Sequence, residues 1–442
     1  KELAESQMDL QDYSNPEKIH NVYSVDKIQE LFPTVDVKDV ISTFGYKPVD
    51  EVVVVDTKLF DAYTKMFTSD RFSELKSVLK TSVFIYFSPY LSSDFKQINT
   101  AYLVATEGSA REETVEQAAE NETRTLFSDY VGELYVKQYF SVEAKNDITE
   151  MVKSFIDVYK TRILALDWMS DATKQQAIKK LDTMKIEIGY PDEWKNIYEN
   201  VEIKGDDLFG NVAKINKAKL ADLVSKQGKP VTKTGWTDNL PVYEVNAGYT
   251  LTFNGITFPA GIFQGKLYDI NAPKEQNLGA IGMVIAHEIS HAFDNNGAKF
   301  DENGNVRDWW TEEDYSKFQE LCQGVVTLFD GKEFIPGLIS NGTQTLGENI
   351  ADMGGISVAL AVAESTISNV DYKVFFESFA TMWRFSRGSR ARMEYILSAD
   401  VHSPAVLRTN VNLQNIDKFY EVYDIKEGDG MYLTPEKRVQ IW

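Results

Sequence analysis

The chain has 442 residues, more than one ordinary core accommodates, so two or three domains are expected. Its 43% hydrophobic and 26% charged content is that of a globular protein, and a net charge of −21 argues against a nucleic-acid partner, whose phosphates it would repel. No run approaches the ~18–20 uninterrupted apolar residues of a membrane span, and a single cysteine excludes an intrachain disulfide.

The amino end, KELAESQMDLQDYSNPEK, is acidic and polar, unlike a secretory leader, and lacks an initiator methionine, so it reads as a processed or truncated end. Residues 1 to about 230 read as helical and gather no catalytic side chains. From Asp147 to Leu166, apolar residues at Ile148, Met151, Val152, Phe155, Ile156, Tyr159 and Ile163 form one helical stripe. A second helix is predicted from Ser170, a good N-cap, to a stop before Gly189 and Pro191. The character changes near Gly235, which sets a boundary between about 228 and 240: a helical domain over 1–234 and a second domain over 235–442. There YTLTFNGITFPAG alternates Leu251, Phe253, Ile256 and Phe258 around Asn254-Gly255, predicting a type I′ hairpin.

Residues 281–297, IGMVIAHEISHAFDNNG, hold two of the four histidines behind an apolar helical run. His287 and His291 stand at i and i+4, which places both on one helix face about 6 Å apart along the axis. Both imidazoles can then reach one small cation, and Glu288 can reach a water on it, which is why HExxH marks zinc hydrolases. A catalytic zinc needs a third protein ligand. Glu348 and Asp352, again i and i+4, share the face of a helix that continues apolar through Leu360. Two buried carboxylates without cations are costly. Near zinc, Glu348 can ligate and Asp352 can accept the N–H of a ligating imidazole, with Asp294 placed to serve the other. Between these segments, DENGNVRDWWTE lacks the glycine of a calcium loop at Val306 and reads as an Asn-Gly turn. Cys322 lies in a helical pattern and reads as a buried hydrophobe, while Asn341-Gly342-Thr343 is a formal glycosylation sequon only. His402 and Arg408 fall in DVHSPAVLRTN, an irregular Pro-containing segment; His20 has no motif and reads as surface.

The motifs VNAGY, FPAGI, GMVIAHEISHAFD, DWW, GENIAD, DVHSP with a following arginine, and a terminal tryptophan resemble, in the same order, those of the neprilysin family of zinc endopeptidases, nearest its bacterial endopeptidase O branch. The resemblance is dense from about residue 240 to Trp442, continues through LDWMSDATKQQAIKKLDTMKIEIGYP and DYVGELYV, and is faint before about residue 120. It implies a mainly α fold with a small β-sheet (α+β): a thermolysin-like zincin catalytic domain plus a large helical lid domain that lacks its first part. It further implies one Zn2+ per chain on His287, His291 and Glu348, with Glu288 as general base and Asp294 and Asp352 orienting His291 and His287. By the same resemblance His402 would stabilise the oxyanion, Arg408 would bind a substrate carbonyl, and Asn246 and Ala247 the peptide backbone. The pocket for the side chain after the scissile bond would draw on Ile262, Met283, Val284 and Trp383.

Gly248 departs from the family, which has an aromatic residue there, so one wall of the substrate strand is lost. The expected partners are short peptides cut before large apolar residues, and a monomer is expected. The compartment stays open between the cytoplasm and a secreted or cell-surface location in a bacterium. Three rivals remain at this point: an exopeptidase on the same zinc geometry, a catalytically impaired peptide- or host-protein-binding protein that retains the metal, and a structural zinc site. The last is disfavoured because closed sites want four ligands, commonly cysteines.

Overall fold

Apolar residues three and four apart take one face of helix α1 (Val142–Ala165) out of water: Ile148, Val152, Phe155, Tyr159 and Ile163 are all buried. Each such aliphatic or phenyl group contributes about 1.5–3 kcal/mol. Ser141 caps the helix by accepting the N–H of Ala144. Ser170 caps α2 (Asp171–Asp182) as predicted, accepting from Thr173 N–H. The helix ends well before Gly189, because residues 185–189 leave it to form strand β1 (Lys185–Gly189), which the sequence did not reveal. Its partner is some 70 positions further along, beyond the reach of local periodicity.

The computed structural model describes residues 2–442 except 10, 11, 14, 108–112, 234, 237–239 and 387. The chain forms two compact units. One comprises 1–127, 195–232 and 389–395. It is chiefly helical, with Thr57–Met66, Phe72–Phe87 and Leu208–Ser225 among its helices and, among the described residues, one antiparallel pair, Asn21–Ser24 with Glu51–Val54. The other comprises 128–194, 233–388 and 396–442 and holds every proposed site residue. Residue 234, at the expected boundary, lies outside the described residues. Residues 128–194 precede that boundary yet join the second unit, because the buried face of α1 shares its core.

The second unit is mainly α with a small sheet, as expected. Strand β2 (Gly248–Thr250) pairs antiparallel with β3 (Gly255–Pro259), and β1 pairs parallel on its other side, giving the order β1-β3-β2. The expected two-residue hairpin is corrected: Leu251–Phe253 form a 3-10 turn rather than strand, and only Asn254 takes a positive φ, 47°. The buried Asn254 side chain explains the wider turn, donating to the Lys180 carbonyl (2.9 Å) and accepting from the Tyr249 hydroxyl (2.8 Å).

Helices α3 (Met283–Ser290), α4 (Glu312–Phe329), α5 (Leu346–Thr366) and α6 (Ala405–Leu413) complete the framework. Among the described residues α5 alone is long and apolar enough to cross a membrane, but it is a core helix, 72% buried over its most apolar window and carrying three carboxylates, Glu348, Asp352 and Glu364. Burial pushes the Cys322 thiol on α4 up to about 12, which suits an inert core residue. The 301–305 segment is an Asx-type turn, Asp301 accepting the N–H groups of Asn303 (2.8 Å) and Asn305 (3.0 Å).

Beside that turn the buried Glu302 accepts from Lys179 and from Gln176 (2.6 Å), and chiefly the Lys179 ammonium holds its carboxyl down at about 2. A depressed carboxyl stabilises the fold above its unfolded pKa and loses that contribution as pH falls through the folded value. Glu302→Gln is therefore expected to lower stability by about 1.5 kcal/mol or more at pH 6. In urea titrations the gap from the parent should close as pH falls from about 4.5 towards about 2; a gap independent of pH would remove the charge from the account.

Candidate active site and metal centre

Helix α3 is entered through a π-helical turn, Leu278–Gly282, and closes at His291, so His287 and His291 lie one turn apart on a single face. That face meets α5 at close range. A Cβ on Gly355 would lie 3.0 Å from the Met283 carbonyl and 3.3 Å from His287 Cβ, and one on Gly354 would lie 2.3 Å from Ser290 Oγ. Side chains at 354 and 355 would hold the helices apart, and Asp352 and Glu348, within the two preceding turns of α5, would miss the imidazoles.

With glycines there, the carboxylates arrive. Glu348 Oε2 stands 3.2 Å from His287 Nε2, 3.6 Å from His291 Nε2 and 3.1 Å from His402 Nε2, with no well-directed hydrogen bond among these contacts. Asp352 Oδ1 stands 2.8 Å from His287 Nδ1, and Asp294 Oδ2 2.6 Å from His291 Nδ1. His291 Nδ1 bonds Asp294, while His287 Nδ1 meets Asp352 at a short distance without a well-directed bond. With both Nδ1 atoms protonated, the two Nε2 atoms, 3.0 Å apart, turn lone pairs towards each other and towards Glu348. Such a set is repulsive unless positive charge lies within it. One ligand atom from each of His287, His291 and Glu348 falls within 4.8 Å of the others, and two nitrogens with one carboxylate oxygen form a donor set suited to zinc. The residues present fit that ion.

The electrostatics agree. Burial resists charge on His287, His291 and Glu348, yet the imidazoles stand above their ordinary pKa through the facing carboxylates, and Glu348 well below its own through His291. Burial likewise opposes ionisation of Asp352, but Arg408 overcomes it and sets the pKa at about 2. For Glu288 burial prevails over the neighbouring histidines and its pKa is raised, as suits a base that must also release its proton.

His402 is brought to the site, its Nδ1 2.7 Å from Asp400 Oδ1 and its ring pKa raised to about 9 by Asp400 and Glu348 against burial. Asp400 was missed by sequence reasoning; its signal was only a position two residues before His402. The 400–403 segment is anchored to α5 by Ser403 Oγ, which donates to Asn349 Oδ1 (2.7 Å). Arg408 differs from expectation: it lies on helix α6, whose start is set by Pro404, rather than in an irregular segment. Its Nε and Nη2 each bind Asp352 at 2.7 Å, and its guanidinium stacks 3.9 Å from the Trp383 ring. Asn246 is exposed and Ala247 half-buried just before β2, an outer strand. Ile262 and Met283 are buried in the main core, whereas Val284 and Trp383 are half-buried against it. A side chain at Gly248 would make only an ordinary contact with Leu240, 3.5 Å away, so the backbone does not demand glycine there.

Two sequence profiles of Peptidase family M13 match the chain, over residues 1–191 and 246–439. A neutral endopeptidase of Lactococcus lactis is 36% identical over 427 residues, covering 96% of this chain and 67% of that protein. The solved structure of PepO from Lactobacillus rhamnosis aligns with a TM-score of 0.92 at 33% identity, and that of the zinc metalloprotease Zmp1 of Mycobacterium tuberculosis, in complex with an inhibitor, with 0.93 at 30%; each alignment covers 100% of this chain and 69% of the other. The chain thus spans about two thirds of the length of these relatives. Nothing in these likenesses favours a catalytically impaired binding protein.

Removing the guanidinium would leave the fully buried Asp352 without its bidentate partner, so it must either stay charged beside His287 alone or take up a proton. Arg408→Ala is expected to cost about 3–5 kcal/mol, read by urea unfolding of the zinc-free protein. A loss below about 1 kcal/mol would mean that the pair does not stabilise the fold.

Proposed function

The chain belongs to peptidase family M13, the neprilysin-like zinc metalloendopeptidases, and from that premise we propose that it cleaves internal bonds of short oligopeptides before large apolar residues, with Glu288 as general base. The observation that carries the reading is the convergence of His287, His291 and Glu348 beside the buried Glu288 on the same helix as both histidines.

In this reading His287, His291 and Glu348 hold zinc, while Asp352 and Asp294 fix the imidazoles with Nε2 towards it. Bound zinc supplies Lewis acidity, easing deprotonation of water and polarising a carbonyl. The Glu288 carboxylate takes a proton from the attacking water and gives it to the leaving amine; its raised pKa serves the second half of that cycle. His402 Nε2 donates to the carbonyl oxygen as negative charge gathers there, a contribution of about 3 kcal/mol for one such donor. Asp400 supports the charged ring for that task. Arg408 has Nε and Nη2 committed to Asp352, which leaves Nη1 for a substrate carbonyl.

Substrate is proposed to lie along β2 as an added strand, its backbone held by Asn246 and Ala247. The side chain after the scissile bond would meet Val284 and Trp383, with Ile262 and Met283 forming the floor beneath. Those four residues are apolar, which supports a preference for large apolar side chains there.

Glu288→Gln is expected to retain zinc and lose at least a thousandfold in kcat; substantial turnover would remove Glu288 from the base role. Glu348→Ala is expected to lose metal on dialysis, measured by elemental analysis, and full occupancy would place the third ligand elsewhere. Mass spectrometry of a peptide library blocked at both ends should show chelator-sensitive internal cuts before Phe, Leu, Ile or Met. Cuts only in peptides with a free end would favour an exopeptidase.

A further inference from the structure

On helix α2 the local pattern makes Lys180 look like one more surface lysine, yet it is fully buried. Its Nζ lies 2.6 Å from the carbonyl oxygen of Ala292 and 2.9 Å from those of Gly297 and Phe300. An ammonium group has three N–H donors, and here three backbone carbonyls accept them, supporting the charged form against a burial that lowers its pKa to about 7. All three belong to the turn 292–300, which leaves His291 and carries Asp294. The Phe300 carbonyl also accepts from Trp309 Nε1 (3.0 Å) and that of Gly297 from the Phe300 N–H (3.1 Å). Among the described residues it is therefore the Ala292 carbonyl, next to His291, that an apolar side chain at 180 would leave unpaired, at a cost.

The same turn is held from its other side by Asp294. Asp294 Oδ1 accepts the N–H groups of Asn296 (2.8 Å) and Gly297 (2.6 Å), while Oδ2 faces His291 Nδ1 at 2.6 Å. The residue Gly297 thus joins the two anchors, its N–H bound to Asp294 and its carbonyl to Lys180. The turn folds back so tightly that a Cβ on Gly297 would lie 1.9 Å from the His291 carbonyl. Lys180's own carbonyl accepts from the buried Asn254 amide, so the lysine also ties this turn to the β2–β3 connection.

We propose that Lys180 is a positioning residue for the metal site: its ammonium fixes the 292–300 turn so that Asp294 stays aimed at Nδ1 of His291 and keeps Nε2 towards zinc. This rests on the proposed assignment of His291 as a ligand. Lys180 touches neither substrate nor metal and acts through Asp294.

The test is a double-mutant cycle on zinc affinity, measured by competition with a chromogenic chelator, using Lys180→Met, Asp294→Ala and the pair. Loss of a group that orients a metal ligand typically weakens binding 10–100-fold. Lys180→Met should weaken zinc about tenfold in the parent and less than threefold when Asp294 is already alanine. Zinc affinity within threefold of the parent, even with a lower Tm, would overturn the proposal, as would losses that simply multiply. Should Lys180→Met fail to fold, the parent itself serves, with 15N-labelled lysine. Linkage is reciprocal, so removing zinc with a chelator should shift the Lys180 15Nζ resonance, and an unmoved resonance would overturn the proposal. His291→Ala separates the premise from the inference. Parental zinc affinity in that variant sinks the ligand assignment, whereas weakened zinc there with parental affinity in Lys180→Met sinks only the role of Lys180.

Discussion

The close crossing of α3 and α5 is the constraint on which the rest of the site depends. Imidazoles on one helix and carboxylates on the other meet only because Gly354 and Gly355 let the backbones approach to distances that side chains would forbid. That approach buries polar groups, which then require partners. His287 therefore has Asp352, Asp352 has Arg408, and Arg408 has the face of Trp383; on the other side His291 has Asp294. The site is the end of a chain of obligations that starts with two glycines.

The charge distribution follows from the same geometry. Glu288, Glu348, Asp352, Asp294 and Asp400 crowd a region whose permanent cation is Arg408, with Lys180 behind Asp294. Each carboxylate has been matched to an imidazole or a guanidinium except Glu288, whose pKa burial raises. The exception is the group proposed to take and release a proton. Structural pairing and chemical readiness are thereby separated among side chains a few ångströms apart.

What the sequence made legible was whatever is local. The i and i+4 spacings of His287 with His291 and of Glu348 with Asp352, the cap at Ser170 and the stripe on α1 all depend on neighbours within one or two turns, and the structure has them. Strand β1 was invisible because its partner, β3, lies far away in the chain. The Asn254 turn was misjudged because a buried side chain, bonded to Lys180 and Tyr249, overrides the usual Asn-Gly geometry. Arg408 was named as a candidate site residue, but its bidentate bond to Asp352 spans 56 positions and has no local trace. Lys180 was passed over for a similar reason: nothing near it in sequence distinguishes a lysine that binds three buried carbonyls from one in water.

The account stands or falls on the ligand set. Zinc K-edge X-ray absorption on the zinc-loaded protein reads that set directly. Two imidazole nitrogens at about 2.0–2.1 Å, with oxygen scatterers at about 2.0–2.2 Å and no sulfur near 2.3 Å, are the predicted result. A third imidazole or a sulfur in the first shell would contradict the account, because it would place the metal away from Glu348.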